Sequence, residues 1–325
     1  MNQNANELHV IFGTGPVGAG AMRALLKRGK RVRMINRSGR PSLATGDAPG
    51  VEFVRADAYD LASARAAMAK ATHVYQCAQP EYHEWEAKFP PLQASILNAA
   101  ATANAKLILM ENLYMYGDPQ GAPIVETMPY RPHTRKGKVR AQMAEAWQEA
   151  HAQGKLRAVS GRASDFYGPA YMIMGEQVFY PVLAGKRASA IGSLDFPHSF
   201  SYTEDVGEAL VILGERDEAL GQAWHIPSPE AITQRELLTM IYEIAGQTPK
   251  LGVVSPFMMR VGGLFVPGAR ETVEMMYEFT QPFVLDSRRF TQAFGMAATP
   301  YREALESTIA WFRAHPQKAA AAHAV

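Results

Sequence analysis

The sequence of 325 residues contains a single cysteine, Cys77. One thiol cannot form an intramolecular disulfide, and this cysteine usage is typical of a reducing compartment. No apolar run reaches the ~20 residues that a membrane-spanning helix needs. The first residues also lack the basic-then-apolar pattern of a secretory signal. We therefore expect a cytoplasmic protein that has no membrane partner.

The sequence also lacks an excess of charge of either sign. It has 33 Lys and Arg against 31 Asp and Glu, which gives a formal net charge of +2. A nucleic-acid-binding protein would need a strong basic excess or a basic stripe. No His or Cys cluster has the spacing of a zinc site, and the motifs H-E-x-x-H, G-x-S-x-G and Walker A are absent. We expect no nucleic-acid partner and no metal.

The sequence does contain an alternation of strands and helices over its first half. Short apolar runs rich in β-branched residues predict strands at 8–12, 31–36, 51–57, 72–78, 106–112 and 156–164. Amphipathic stretches between them predict helices, one of which has the prolines of "FPPLQASILNAAATANA" at its start. This alternation is typical of an α/β fold with a Rossmann-type, doubly wound parallel sheet.

The composition of the sequence changes after residue 165, where the regular alternation of strands and helices ends and Pro, Gly and Met become more frequent. We expect a dinucleotide-binding domain at residues 1–165, with returns to its sheet near 198–228. Residues 166–325 are expected to form mainly a smaller substrate-binding lobe, partly interleaved with the first domain.

A glycine-rich loop follows the first predicted strand. "GTGPVG" is a G-x-G-x-x-G motif formed by Gly13, Thr14, Gly15, Pro16, Val17 and Gly18. Such a loop between a strand and a helix favours dinucleotide binding, because the glycines allow a tight turn, a close approach to the pyrophosphate and close helix packing. The helix N-terminus adds amide donors and a positive dipole. A purely structural turn is the alternative.

The end of the second strand indicates which dinucleotide is bound. An NAD site usually has Asp or Glu there to bind the ribose 2′-hydroxyl, whereas this strand ends in Asn36, Arg37 and Ser38. An arginine can pair with a 2′-phosphate through two hydrogen bonds. We therefore expect NADP as the cofactor, with NAD as the alternative. Arg37 could equally be an exposed loop residue.

Several motifs in order resemble the extended short-chain dehydrogenase/reductase family, which includes the NAD-dependent epimerase/dehydratases. They are "VIFGTGPVG", "ADAYD", "CAQP", "MENLYMYGDP", "GRASDFYGP", "HSFSYTEDVGEAL" and "TPYREALESTIAWF". The resemblance runs nearly end to end. It implies that Asp57 and Ala58 meet the adenine and that Ala78 and Gln79 pass under the cofactor. It also suggests a homodimer through the fourth and fifth helices.

The sequence departs from the family pattern where the chemistry should lie. The family has a Tyr-x-x-x-Lys pair, in which the tyrosine exchanges a proton with the substrate while the lysine holds the ribose. Here the aligned positions are Lys136 and Arg140, or Thr134 and Lys138 in another register, and Asp165 replaces an asparagine in "GRASDFYGP". These cations could also form a solvated helix face, or Arg140 could contact only the ribose or a phosphate.

A relocated tyrosine could supply the missing proton. Tyr114 follows the fifth strand, close to the place expected for the nicotinamide, and is our first candidate for the catalytic acid, with Lys136 beside it. The sequence thus favours an oxidoreductase of the epimerase/dehydratase type that acts on a small carbonyl or hydroxyl substrate. A non-catalytic NADP-binding sensor or interaction protein is the main alternative, and a structural protein with an unused glycine loop is a weaker one.

Overall fold

A parallel sheet of seven strands forms the centre of the protein in the computed structural model, which describes residues 7–265 and 267–317. The ends of the two predicted domain ranges and residue 266 lie outside the described residues. The strands are β1 (Leu8–Phe12), β2 (Arg31–Asn36), β3 (Glu52–Arg55), β4 (His73–Gln76), β5 (Lys106–Glu111), β6 (Arg157–Arg162), β7 (Asp165–Tyr167), β8 (Ala188–Ile191), β9 (Pro197–His198), β10 (Phe200–Tyr202), β11 (Ala223–His225), β12 (Ile232–Thr233) and β13 (Leu251–Val254). The sheet has the strand order β11-β6-β5-β4-β1-β2-β3, and all of its pairs are parallel.

Helices cover both faces of this sheet. They are α1 (Pro16–Lys27), α2 (Leu61–Ala67), α3 (Trp85–Thr102), α4 (Arg135–Ala152), α5 (Met172–Met174), α6 (Tyr180–Leu183), α7 (Thr203–Glu215), α8 (Gln234–Ala245), α9 (Pro256–Gly262), α10 (Pro267–Thr272), α11 (Arg288–Phe294) and α12 (Tyr301–Ala314). The predicted α/β fold with a Rossmann-type sheet is confirmed. The strand order reverses between β1 and β4, which places a crevice at the carboxyl ends of these two strands.

Strand β1 shows why the sheet is buried on both faces. Its side chains alternate, so Val10 and Phe12 pack with α2, α3 and α4, while Ile11 packs with α1 and α7 on the other face. All five residues of β1 are buried. Burial on both faces is the reason that this central strand is apolar at every position except the buried His9.

Helices α1 and α7 pack closely because each has a glycine at the contact. A Cβ on Gly20 would lie 2.7 Å from the Thr203 carbonyl oxygen, and a Cβ on Gly207 would lie 2.3 Å from the Ala21 amide nitrogen. An ion pair between Arg23 Nε and Glu204 Oε2 at 2.9 Å spans the same two helices. The later half of the chain is thus fastened to the first helix.

Helix α3 begins earlier than the sequence indicated. We expected it to start at the "FPP" segment, but it starts at Trp85, and Pro90 and Pro91 lie inside it. Trp85 and Phe89 are both buried in the core, so their packing stabilises the first turns despite the backbone hydrogen bonds that proline cannot donate.

The second half contributes one strand to the main sheet and builds a smaller layer beside it. β11 pairs with β6 at the sheet edge. Three two-stranded ladders lie outside the main sheet: β7 with β10, β8 with β13, and β9 with β12. These ladders share an apolar core with α8 and α12, in which Phe179 and Phe312 stack at 4.9 Å between ring centroids. In the described part of the chain, no helix has the length and apolarity needed to cross a bilayer.

Candidate functional site

The glycine loop is held tightly between β2 and β4. Gly13 has φ +107°, and a Cβ there would lie 2.7 Å from the amide nitrogen of Ala78. Its own amide donates to the carbonyl oxygen of Ile35 at 3.0 Å. Glycine is required at this position for its backbone conformation and also for lack of space.

The two later glycines of the motif have different surroundings. A Cβ on Gly18 would lie 2.2 Å from the carbonyl oxygen of Gly13, so α1 packs directly against the loop. In contrast, no atom lies within 4 Å of the position that a Cβ on Gly15 would take. Gly15 is also the N-cap of α1 and has no side chain to bond the first amides. The loop thus offers open space and amide donors, which fits a pyrophosphate.

A cleft of about 710 Å³ lies in front of this loop. The residues predicted to bind the cofactor that line it are Gly13, Thr14, Gly15, Pro16, Val17, Asn36, Arg37, Asp57, Ala58, Ala78 and Gln79. Gly18, Ser38 and Arg140 are not among its lining residues, and neither are Tyr114 and Lys136. The cleft also includes Phe166 and Tyr171 from the second half of the chain.

The loop after β2 is ordered around Asn36. Its Oδ1 accepts from the amides of Ser38 at 3.1 Å and Gly39 at 2.6 Å, and its Nδ2 donates to Thr14 Oγ1 at 3.1 Å. This network connects the loop to the glycine motif. Arg37 is exposed at the cleft and forms no ion pair with any residue that the structure describes. Its guanidinium is thus free to meet an anion.

The end of β3 supplies an exposed carboxylate to the same cleft. Asp57 Oδ1 accepts from the amide of Tyr59 at 3.0 Å, and the Asp57 amide donates to Ser63 Oγ at 3.0 Å. These bonds fix the carboxylate at the cleft wall while leaving its second oxygen without a hydrogen bond among the described residues. On the opposite side, burial raises the pKa of the Cys77 thiol to about 12, so this lining residue is a neutral wall group.

Tyr114 lies in an enclosed place after β5. Its phenol oxygen accepts a hydrogen bond from the Tyr82 hydroxyl at 3.3 Å, and its ring lies 5.9 Å from that of Trp85. Burial raises the pKa of Tyr114 well above its ordinary range. The phenol is therefore protonated at neutral pH and can act as a hydrogen-bond donor.

Lys136 is buried at the start of α4 rather than solvated. Its Nζ lies 4.4 Å from the ring centroid of Tyr82. It forms ion pairs with Glu271 and, at 3.5 Å, with Glu274. Lys138 of the alternative register is exposed. The first part of α4 is thus not a uniformly solvated cationic face.

Arg140 is also buried, behind the wall of the cleft. Its guanidinium lies 4.8 Å from the ring centroid of Phe89, a cleft residue, and its Nη2 lies 3.7 Å from Glu111 Oε1. Burial lowers the pKa of Arg140. Glu111 also accepts from Arg162 Nε at 3.0 Å, so one carboxylate serves two buried arginines. Arg140 is one side chain away from the cofactor cleft.

Sequence reasoning did not bring together the polar side chains that lie near Tyr82 and Tyr114, and it did not identify Glu278. His198 Nε2 lies 2.7 Å from Asp165 Oδ2, and Glu278 is 1% exposed with no hydrogen-bond partner for its Oε1. Burial raises the pKa of Glu278 well above its usual range, and the charge of Asp165 adds to the rise. We call Tyr82, Tyr114, Asp165, His198 and Glu278 the tyrosine–carboxyl cluster. The aspartate in "GRASDFYGP" was the sequence signal for it, but its partners are distant in sequence.

The described residues contain no group of three or more His, Cys, Asp or Glu side chains placed to hold a metal ion. The cleft does fit a nicotinamide dinucleotide. The open space at Gly15 and the α1 amides suit the pyrophosphate, Asp57 suits the adenosine end, and the residues after β4 form the floor. When bound, such a cofactor supplies hydride transfer, while the chain must bind it and handle the proton.

Comparison with known proteins agrees with this geometry. The model of the NAD dependent epimerase/dehydratase family matches residues 10–226, which is more than half of the chain. An uncharacterised protein of Sinorhizobium fredii, y4nL, is 23% identical over 318 residues, covering 90% of this chain and 86% of that protein.

Solved structures show the same fold. The UDP-glucose 4-epimerase of Thermus thermophilus, solved with NAD, has a TM-score of 0.76 at 20% identity and covers 94% of this chain and 99% of its own. The UDP-glucose 4-epimerase of Thermotoga maritima, solved with UDP-glucose, has a TM-score of 0.78 at 15% identity, with 95% and 99% covered. From the family match and the glycine-loop cleft, the chain belongs to the NAD-dependent epimerase/dehydratase family.

Proposed function

We propose that this protein is an NAD(P)-dependent oxidoreductase of the epimerase/dehydratase type, with NADP as the favoured cofactor and a small carbonyl or hydroxyl compound as the substrate. The observation that carries the NADP preference is Arg37. It lines the cleft, is exposed and has no ion-pair partner among the described residues, while β2 ends in the neutral Asn36. A 2′-phosphate would gain charge-assisted hydrogen bonds there, and no carboxylate at that strand end would repel it.

The cofactor would be held by residues at four strand ends, those of β1, β2, β3 and β4. Gly13, Thr14, Gly15, Pro16, Val17 and Gly18 would form the pyrophosphate loop, with Asn36, Arg37 and Ser38 at the 2′-position. Asp57 and Ala58 would lie at the adenine, and Ala78 and Gln79 beneath the cofactor. Because Arg140 lies behind Phe89, its contribution would be to support the cleft wall or to contact the ribose after Phe89 moves.

Tyr114 remains our candidate for the group that donates a hydrogen bond to the substrate oxygen, with Lys136 as its supporting cation. What supports this is the short chain of contacts from Lys136 to the Tyr82 ring and from the Tyr82 hydroxyl to Tyr114. Burial keeps the Tyr114 phenol protonated. A group with so high a pKa keeps its hydrogen for a hydrogen bond but is a weak acid at neutral pH.

The charges near Tyr114 favour a substrate without a diphosphate. Asp165 and Glu278 contribute carboxyl groups, and the nearby Lys136 is already paired with Glu271 and Glu274. Because Lys136 is already paired, it offers a phosphate ester no free positive charge, and burying a phosphate without a charged partner is unfavourable. We propose that the lobe at residues 166–325 binds a small, uncharged substrate. We also propose a cytoplasmic homodimer, which molar-mass measurement in solution would test.

The first experiment is calorimetric titration of the purified protein with NADPH and NADH. In Arg37→Ala, NADPH affinity should fall about 10- to 100-fold because charge-assisted hydrogen bonds contribute about 1.5–3 kcal/mol. NADH affinity should not change. Arg31→Ala is the matched control, since Arg31 is an exposed arginine at the other end of β2. Equal affinity for both cofactors in the wild type would reject the NADP preference.

A non-catalytic NADP-binding sensor or interaction protein is the second candidate. The observation that favours it is that Lys136 and Arg140, at the positions of the catalytic pair, are buried with their own carboxylates and do not line the cleft. This function predicts tight NADPH binding with no oxidation of NADPH by any member of a carbonyl panel. Turnover of a single carbonyl compound would reject it.

A further inference from the structure

The local chain path brings Asp165 and His198 together. β7 begins at Asp165 and pairs with β10, whose Phe200 lies opposite it, and His198 ends β9 two residues earlier. His198 Nε2 lies 2.7 Å from Asp165 Oδ2. His198 Nδ1 lies 3.1 Å from the carbonyl oxygen of Glu278. Both ring nitrogens therefore face oxygen acceptors.

These two contacts determine how many protons the pair holds. A carbonyl oxygen can only accept, so His198 Nδ1 carries a hydrogen. The short contact on the other side then needs a second proton, either on Nε2 or on the Asp165 carboxyl group. The pair therefore holds one proton more than a neutral imidazole and a carboxylate would together. That proton lies on the line between Nε2 and Oδ2.

The imidazole is held in place by aromatic side chains. It stacks on Phe279 with 5.2 Å between centroids and a 10° angle, and lies 4.7 Å from Phe200 and 5.5 Å from Phe283. His198 is 2% exposed, but the Asp165 side chain is 35% exposed. The aspartate is therefore the accessible end of the pair, and the histidine is its buried end.

Asp165 is not itself one of the residues that line the cofactor cleft, but its sequence neighbour lines it and its charge acts on both tyrosines of the cluster. The next residue, Phe166, lines the cleft and packs on Tyr171, which lines it as well. Burial raises the pKa of Tyr171, and the charge of Asp165 raises it further. Burial raises the pKa values of both Tyr82 and Tyr114, and the charges of Glu278 and Asp165 raise each of them further. The neighbouring phenols are thus neutral donors around one exchangeable proton.

We propose that Asp165 is the catalytic group that exchanges a proton with the substrate oxygen, and that His198 is the positioning residue that holds this proton on Asp165. The inference rests on the proposed oxidoreductase function. It supplies what Tyr114 lacks, a proton shared between an imidazole and a carboxyl group, and that carboxyl is accessible and next in sequence to a residue that lines the cleft. The substrate it fits is a small uncharged ketone, aldehyde or secondary alcohol.

The proton and electron balance is simple for carbonyl reduction. A bound, reduced nicotinamide dinucleotide would supply the hydride and would itself be oxidised. The carbonyl carbon of the substrate gains that hydride as a new C–H bond, and the π-electron pair of the C=O bond moves to the oxygen. That oxygen takes the proton from Asp165, forming the O–H bond of the alcohol. The Asp165–His198 pair then regains a proton from solvent, and oxidation of an alcohol runs in reverse.

The first test needs no substrate. Nitrogen NMR of ¹⁵N-histidine-labelled protein at neutral pH, assigned with His198→Gln, reports whether each ring nitrogen of His198 carries or shares a hydrogen. We expect hydrogen on Nδ1 and a shared or bound hydrogen on Nε2 in the wild type. In Asp165→Asn, Nε2 should become a bare acceptor, since the neutral amide no longer favours the extra proton. Asn is the residue of the family pattern here, so this variant should fold.

The second test measures NADPH oxidation with 2,3-butanedione and cyclohexanone as uncharged carbonyl probes, and with NADPH titration in parallel. Asp165→Asn should lower kcat about 10²- to 10⁴-fold while NADPH affinity stays the same. His198→Gln should lower kcat with little change in KM. Asp195→Asn, which breaks an exposed ion pair with Arg235, is the matched control and should leave both quantities unchanged.

The outcomes separate this inference from the proposed function. A bare Nε2 in the wild type, or an Asp165→Asn variant with kcat within twofold of the wild type, would overturn the role of the pair alone. A wild type that binds NADPH and reduces neither probe would overturn the proton-exchange role together with the enzyme function. A wild-type protein that does not bind NADPH would instead refute the cofactor assignment.

Discussion

Replacing Glu111 with glutamine should strongly destabilise the fold. Glu111 has no exposed side-chain surface, and the side chains of Arg162 and Arg140 are 1% and 2% exposed. One carboxylate thus balances two buried guanidinium groups, at 3.0 Å from Arg162 Nε and 3.7 Å from Arg140 Nη2. Glutamine has the same shape and can still accept the Arg162 hydrogen bond, so the substitution removes mainly the negative charge.

The expected magnitude follows from this imbalance. Removing one partner of a buried ion pair costs about 3–5 kcal/mol, because an uncompensated charge remains in a low-dielectric interior. Arg162 keeps its hydrogen bond to the Tyr116 hydroxyl at 2.6 Å, which lessens the loss. Arg140 has no comparable partner, and its Nε forms no hydrogen bond among the described residues. We therefore expect a loss of about 3–5 kcal/mol in the free energy of unfolding.

Urea denaturation followed by tryptophan fluorescence and circular dichroism would measure the change. Glu52→Gln is the matched control, since Glu52 pairs with Arg33 at 2.8 Å but is 52% exposed, and such a surface pair contributes about 0–1 kcal/mol. Adding Arg140→Met to Glu111→Gln should recover part of the loss by removing one unbalanced cation. A cost below about 1 kcal/mol for Glu111→Gln would refute the reasoning.

Three further predictions concern the cleft and the core. Gly18→Ala places a Cβ against the Gly13 carbonyl oxygen and should lower the free energy of unfolding by about 1–3 kcal/mol in urea titrations, whereas Gly15→Ala should keep stability and weaken NADPH binding in calorimetry. Burial lowers the pKa of His225 to about 3, so the unfolded chain, at about 6.5, takes up this proton first. As the pH is lowered from about 6.5 to about 3, His225 should decrease the free energy of unfolding by about 1.4 kcal/mol per pH unit. His225→Gln should remove this contribution, so equal pH slopes for the wild type and the variant would contradict the prediction. Cys77, whose pKa burial raises to about 12, should be alkylated by iodoacetamide at mildly alkaline pH far more slowly in the native than in the unfolded protein, as mass spectrometry would record.

Local sequence pattern was sufficient to predict the strands of the first half of the fold. The alternation of short apolar runs with amphipathic helices predicted the strands of the first half within a few residues. Each of these elements packs against the core, and its burial is visible as a periodic pattern in its own sequence. The start of α3 was wrong since proline suggested a helix terminus, whereas burial of Trp85 and Phe89 stabilises the earlier turns. The small ladders of the second half, such as β7 with β10, depend on partners distant in sequence, and no local pattern specifies these.

The candidate site likewise has one part that the sequence could predict and one part that it could not. Residues that follow directly on strand ends, such as Asn36 and Ala78, meet at one edge of a parallel sheet by topology alone, so the sequence could place them. The contact of Asp165 with His198, and of His198 with Glu278, joins segments 33 and 80 residues apart. Their hydrogen bonds form only after the second lobe has packed, so spacing could not predict them.

The fastening of α1 to α7 has a consequence for biosynthesis. The sheet is completed at one edge by β11, and α1 is covered by a helix that is translated roughly two hundred residues after the glycine loop. A nascent chain that has emerged only to residue 165 would expose β6 as an open edge and leave the apolar face of α1 uncovered. On the ribosome, the seven-stranded sheet therefore cannot be completed until residues near 226 have emerged.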